Sequence, residues 1–266
     1  GSNPAKARLL TGANGQARIG VALRDSSAIA FVTQLSSAAP TITRVSNVGA
    51  CPTDFFVYDN ATWIVDANAN CRSDYAVLGD VRLIRVPNSG TTRDTLILPN
   101  VRGSSAEAIV LGDVAYISAG GAADFGSFPY RLITSGRLVK VDLRARRVLA
   151  ERAMPTSSYG AGVKLGADGV LYVSLYEDLT SFANRVVRAR ADDLSLVASV
   201  TSPFLVLTTT AGADVPCGST TADALGRVHC LVSGAGSATS VVVFDVSGRE
   251  IRRVAAGQGG VDLALR

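Results

Sequence analysis

Apolar residues in this chain fall in short runs rich in Val, Ile, Leu and aromatic side chains, broken by Gly, Asp, Asn and Ser. The i, i+3, i+4, i+7 spacing of an amphipathic helix is almost absent. Thr62-Trp63-Ile64-Val65, Ala115-Tyr116-Ile117-Ser118, Leu171-Tyr172-Val173-Ser174 and Val228-His229-Cys230-Leu231 recur 53, 56 and 57 residues apart. A second family comprises Ala28-Ile29-Ala30-Phe31, Leu83-Ile84-Arg85-Val86, Leu138-Val139-Lys140-Val141, Val186-Val187-Arg188-Ala189 and Val241-Val242-Val243-Phe244. Its spacings are 55, 55, 48 and 55. A beat held through a whole chain marks a repeat architecture, in which each unit buries its apolar faces against its neighbours.

The order within one period is constant. A short apolar strand leads to a tight turn (Tyr58-Asp59-Asn60, Leu111-Gly112-Asp113, Ala167-Asp168-Gly169 or Ala224-Leu225-Gly226), then come a second strand, a variable loop, a third strand, another turn and a fourth strand. Asp, Asn and Gly at such turns supply the positive φ that tight hairpins need. Four antiparallel strands every ~50 residues describe one blade of a β-propeller. The chain therefore reads as a single all-β domain over 1–266 with five blades near 7–50, 51–103, 104–157, 158–214 and 215–259; a six-bladed ring is the alternative. The first blade has two candidate inner strands. One begins at Leu9-Leu10-Thr11, and the other, favoured because it would remove an open sheet edge, is residues 260–266 closing the ring from the far end.

These residues also carry a likeness. Gly169-Val-Leu-Tyr-Val, Arg137-Leu-Val-Lys-Val-Asp142 and Val243-Phe-Asp-Val-Ser-Gly248 resemble the cadence of the broad superfamily of bacterial repeat propellers, over nearly the whole length. Trp-Asp and kelch signatures are missing. The resemblance implies a fold and carries no activity with it.

Composition adds compartment and excludes several classes. Of 266 residues 47% are hydrophobic and 18% charged, so the chain has ample core and is not intrinsically disordered. No apolar run approaches the ~20 residues of a membrane helix. No signal peptide is visible, and Gly1-Ser2 reads as a protease scar, so a removed leader is expected. The net charge is +4, and the denser arginine groups (Arg144, Arg146 and Arg147; Arg185, Arg188 and Arg190; Arg249, Arg252 and Arg253) fall in or beside turns among Asp142, Asp192, Asp193 and Glu250, which describes solvated hairpin tips, so no nucleic-acid partner is expected. The four cysteines form two local pairs, Cys51 with Cys71 and Cys217 with Cys230, with no Cys-x-x-Cys. Two disulfides and an oxidising compartment follow as expectations: secreted, periplasmic or cell-surface.

In a propeller the fourth-to-first and second-to-third connections share one rim. Those connections are long here, at 47–53, 67–79, 119–135, 176–183 and 203–216. Function tends to sit on long loops held by a rigid scaffold. Asp66, Asn68, Asn70 and Asp74 have the alternate spacing of a short calcium loop, although Cys71 stands where glycine is usual and two acids are amides. No cofactor is expected other than a calcium ion at this loop. Asp54 and Glu107, with Asp262 or Asp214, are expected at the channel mouth, where a carboxylate set could cleave a glycosidic bond. His229 falls mid-strand at the position of Tyr172, which points to packing rather than a Ser-His-Asp triad. Phe125, Phe128, Tyr130, Tyr159, Tyr176 and Phe182 fall on the long-loop rim and suit sugars or apolar side chains of a partner, and Phe204-Leu-Val-Leu207 is expected to add an apolar patch. The leading expectation is a binding or assembly module for a protein or carbohydrate partner, acting as a monomer or as part of a larger extracytoplasmic assembly. A glycan hydrolase and a purely structural propeller are the alternatives.

Overall fold

The computed structural model describes residues 4–11, 15–87, 93–126, 128–155, 162–177, 179, 184–197, 204–215, 217, 219–233 and 238–258. It is a five-bladed β-propeller with four antiparallel strands in each blade. The first blade is β1 (Pro4–Thr11), β2 (Ala17–Leu23), β3 (Ala28–Thr33) and β4 (Thr41–Ser46). The second is β5 (Pro52–Tyr58), β6 (Ala61–Asp66), β7 (Arg82–Pro87) and β8 (Asp94–Ile97). The third is β9 (Ala106–Leu111), β10 (Val114–Ala119), β13 (Arg137–Asp142) and β14 (Arg147–Ala153); a separate hairpin, β11 (Ala122–Asp124) with β12 (Arg131–Thr134), rises from its second-to-third connection. The fourth is β15 (Val163–Leu165), β16 (Val170–Tyr176), β17 (Asn184–Arg190) and β18 (Phe204–Leu205). The fifth is β19 (Ser219–Ala222), β20 (Val228–Ser233), β21 (Ala238–Phe244) and β22 (Glu250–Gln258). Helical structure among the described residues is one 3₁₀ turn at Arg24–Ser26.

The burial pattern explains why the second strands read as continuous apolar runs rather than alternating ones. Every residue of β6 is buried, because its sheet is covered by a neighbour on each face. The outermost β4 is almost wholly exposed. The hairpins close as their residues dictate: Asp59 and Asn60 both take positive φ (47° and 51°) between β5 and β6, the geometry of a two-residue turn matched to strand twist.

Separate cores fill the junctions between consecutive blades. Ile29, Phe31, Phe55 and Ile64 join the first to the second; Trp63, Leu83, Ile117 and Val139 the second to the third; Tyr116, Leu138, Leu171 and Val187 the third to the fourth; Tyr172, Val228, Val242 and Phe244 the fourth to the fifth. Gly20 allows the Phe55 ring to approach the first sheet closely, since a Cβ there would lie 2.5 Å from that ring. No comparable core joins the fifth blade to the first among the described residues. The first sheet's outward face there carries Leu9 and Ile42 at 73% and 68% exposure.

Two expectations change. The inner place of the first blade is taken by β1, paired to β2 from Thr11↔Ala17 back to Pro4↔Leu23, while residues 260–266 lie outside the described residues. Phe204 to Leu207 is not a surface patch. Phe204 and Leu205 pair with Val187 and Val186 as the fourth strand of their blade, and Leu205 and Leu207 are buried in the last inter-blade core. A run of apolar residues beside a long loop was enough strand to complete a sheet.

His229 is half-buried on β20. Its Nε2 lies 3.3 Å from Asp223, which also receives Arg227 Nε at 2.7 Å. Although desolvation opposes it, these hydrogen bonds and those from the Arg227 and Leu225 amides hold the Asp223 carboxyl down to about 2, below its ordinary 3.8. A carboxylate depressed in the folded state adds stability above its unfolded pKa and loses it as pH falls toward the folded value. Melting temperature measured between pH 4 and pH 2 should therefore drop less steeply in Asp223→Asn than in the wild type. Parallel curves would show that Asp223 contributes nothing.

Candidate functional site

The long second-to-third connection of the second blade, 67–81, is held flat against its sheet. Cys51, just before β5, is bonded to Cys71 in this loop, with Cα atoms 5.6 Å apart. The loop folds back on itself through an Ala69–Val77 bridge and through amides donating from Asn70 to Ala76 and from Leu78 to Asn68. Asp66, fully buried at the end of β6, anchors its root. One carboxylate oxygen accepts from the Cys51 and Asn68 amides at 2.7 and 3.2 Å, and the other is gripped by the Arg82 guanidinium. Gly49 makes room for this carboxylate: its φ is +133°, and a Cβ there would sit 2.5 Å from the Asp66 carboxyl carbon.

The four residues with calcium-loop spacing form two separate local networks. Asp66 and Asn68 belong to the root, where Asn68 Nδ2 donates to the Asp80 carbonyl at 3.1 Å. Asn70 and Asp74 meet at the tip through the Ser73 hydroxyl, at 2.6 and 3.2 Å. The Ala76 amide, donating at 3.1 Å, holds the Asp74 carboxyl below its ordinary range. Among the described residues no group of three or more His, Cys, Asp and Glu is placed to hold a metal ion.

Asp54 and Glu107 lie on the inner strands β5 and β9, and each has a basic partner from β1. Asp54 is fully buried and accepts from Arg8 Nε at 2.8 Å, Arg8 Nη2 at 2.5 Å, and the Phe55 and Ala108 amides at 2.8 and 2.9 Å. Arg8 Nη2 also donates to the Ala108 carbonyl at 2.6 Å, so one side chain ties three inner strands together. Glu107 pairs with Lys6 at 3.2 Å, and burial raises its carboxyl above the ordinary value despite that neighbour. Asp214 is spent on Arg185 at 2.8 Å, and Asp262 lies outside the described residues. With both Asp54 oxygens saturated by hydrogen-bond donors, Asp54 and Glu107 do not make a free acid–base pair.

The rim aromatics divide. Phe125, Phe128 and Tyr130 cluster on the β11–β12 hairpin, with Tyr130 edge-on to Phe125 and Phe128 at 5.3 and 5.7 Å between ring centroids. Tyr176 stands at the end of β16 on the next blade, and Tyr159 and Phe182 lie outside the described residues. The hairpin and the disulfide-clamped loop face each other across a groove of about 770 Å³. Ser73, Asp74, Tyr75 and Val77 line one wall, and Ala123, Phe125, Ile133 and Thr134 the other. Arg102, paired to Asp80 at 3.2 Å, closes one side. Asp74 and Phe125, singled out in the sequence for different chemistry, thus share one site. Tyr75, Arg102 and Ile133 had no motif to mark them. Tyr75 lies within the loop whose spacing had suggested a cation, and its ring lies 5.2 Å from the Arg24 guanidinium.

Comparison with known proteins supports the fold and goes no further. No protein-family model matches the chain, and no curated protein matches it. Among solved structures it is similar to a hypothetical selenium-binding protein from Sulfolobus tokodaii, with a TM-score of 0.58 and 12% identity over 92% of this chain and 60% of that one. It is similar to the Cps50 (Swd1) β-propeller domain of Myceliophteria thermophila, with a TM-score of 0.57 and 12% identity over 94% and 73%. It also matches cobalt-substituted ACO from Synechocystis, with a TM-score of 0.50 and 10% identity over 98% and 64%. The chain spans less than two thirds of the length of the first and third of these structures.

Proposed function

We propose that the protein is an extracytoplasmic binding module that holds an extended segment of a partner protein in the groove between the disulfide-clamped loop and the β11–β12 hairpin. The observation that carries this reading is the groove itself. It is large enough for several side chains, and its lining includes Phe125 and Ile133, 38% and 63% exposed. A few side chains in well-packed pockets, aromatics and arginine prominent among them, supply most of the energy of protein recognition, and a clamped wall lowers the ordering cost of binding. Two disulfides support an oxidising compartment, since such bonds persist there and are rare in cytosol. Among the described residues no helix is long and apolar enough to cross a membrane.

A displayed library of random peptides, selected on the purified protein in parallel with a glycan array, tests the reading. Selected peptides should lose at least tenfold in affinity, about 1.4 kcal/mol, to Phe125→Ala and to Ile133→Asp, while the folded state of both variants persists by circular dichroism. Glycan binding sensitive to the same variants would move the partner to carbohydrate. Peptides indifferent to both changes would remove the groove from recognition.

A further inference from the structure

The rim opposite the long loops carries a second recess, between the second and third blades, that the groove reading does not use. It is a cleft of about 320 Å³ lined by Tyr58, Asp59, Trp63, Arg85, Asp113 and Arg144, among others. Trp63 and Arg85 are cross-strand partners on β6 and β7. The same pairing recurs one blade later as Tyr116 with Lys140 on β10 and β13. There the pair is satisfied by the fourth blade: Tyr116 Oη donates to the Ala191 carbonyl at 2.8 Å and Lys140 Nζ to the Asp192 carbonyl at 2.6 Å. In the second blade the corresponding donors meet a cavity instead. Trp63 Nε1 is buried with no hydrogen-bond partner. Arg85 has no hydrogen bond or ion pair among the described residues; Asp94 stands opposite it in the ladder, but the Asp94 carboxylate is engaged by Arg146.

The remaining groups add one loose cation and one acceptor. Arg144, its side chain 83% exposed, lies 3.9 Å from an Asp113 carboxylate that also receives the Tyr58 hydroxyl at 2.9 Å. Asp59, in the turn after β5, has no hydrogen-bond or ion-pair partner among the described residues. A guanidinium and an indole N–H left unpaired in a recess call for an acceptor of the carboxylate kind, which a guanidinium grips in a planar, two-point fork. A free carboxylate beside them calls for hydroxyl donors.

We propose that this cleft binds a small hydroxyl-bearing carboxylate of the sugar-acid class, with its carboxylate on Arg85 and Arg144 and a hydroxyl on Asp59. The proposal is independent of the long-loop groove. Its location provides its own probe, because Trp63 is the only tryptophan in the chain. Titration with sodium glucuronate at constant ionic strength should produce a saturable change in tryptophan fluorescence, with an apparent Kd at least tenfold lower than for acetate or glucose alone. Arg85→Gln should abolish the change, the surface variant Arg144→Gln should weaken it several-fold without touching the fold, and Phe125→Ala on the opposite rim should leave it intact. Three results would overturn the proposal: no saturable signal or heat with glucuronate up to about 10 mM, well beyond the weak end of specific binding; acetate binding as well as glucuronate; or unaltered binding in Arg144→Gln.

Discussion

Replacing Asp54 by alanine is expected to destabilise the protein by about 3–5 kcal/mol, the usual cost of stripping one member from a buried ion pair. The carboxylate has no contact with solvent and receives four donors, two from Arg8 and two from backbone amides on β5 and β9. Without it the Ala108 and Phe55 amides lose their acceptor, and the Arg8 guanidinium loses both of its bonds to the carboxylate. Because Arg8 is partly exposed, water recovers some of that loss, which places the effect toward the lower end of the range. Urea unfolding of wild type, Asp54→Ala and Asp54→Asn measures it. Asparagine keeps one acceptor oxygen and should recover part of the loss. A change below 1 kcal/mol in the alanine variant would mean that the three inner strands hold together without this carboxylate. The same pair of variants bears on the hydrolase alternative, since a residue that acts as catalyst could be removed at little cost to folding.

The second large effect belongs to the Cys51–Cys71 bond. The double variant Cys51→Ser, Cys71→Ser should lose about 3 kcal/mol in the chain-entropy account of a cross-link of this span, and with it affinity for peptides selected on the long-loop groove. The reason for the second loss is geometric: residues 73–77, which form one wall, lie only a few positions beyond Cys71. Cys217→Ser with Cys230→Ser is the control. That bond lies in the core between the fourth and fifth blades, so its removal should lower stability and leave groove affinity unchanged. Thermal melting and peptide titration of both variants separate the two roles. If denatured, unreduced protein titrates as four free thiols, neither bond exists in solution.

Much of the fold was legible because propeller strands are constrained on both faces. β6 and β10 are buried along nearly their whole length, so Trp63 and Tyr116 appear in register in the sequence as they do in the sheets. Asp59 and Asn60 announced their turn because few other residues accept the positive φ it requires. The candidate sites were less legible. Asp66 looked like a metal ligand because its neighbours in sequence are Asn68 and Asn70, yet its occupant is Arg82, which reaches it from the adjacent strand β7. Asp54 looked like a channel acid, and its partner Arg8 comes from another blade, 46 residues away. Neither partner follows any sequence period.

The chain alone therefore determined the repeat, the tight turns and the local cysteine pairs and favoured five blades over six, since each rests on residues a few positions apart or on a burial requirement repeated in every blade. Tertiary structure decided which carboxylates were free, which strand opened the first blade, and that Asp74 and Phe125 face one groove. Those outcomes depend on contacts between strands and between blades that lie far apart in the chain or follow no repeat. There a charge is neutralised, or a donor left wanting, by whichever side chain the ring geometry brings alongside, and no local pattern encodes that encounter.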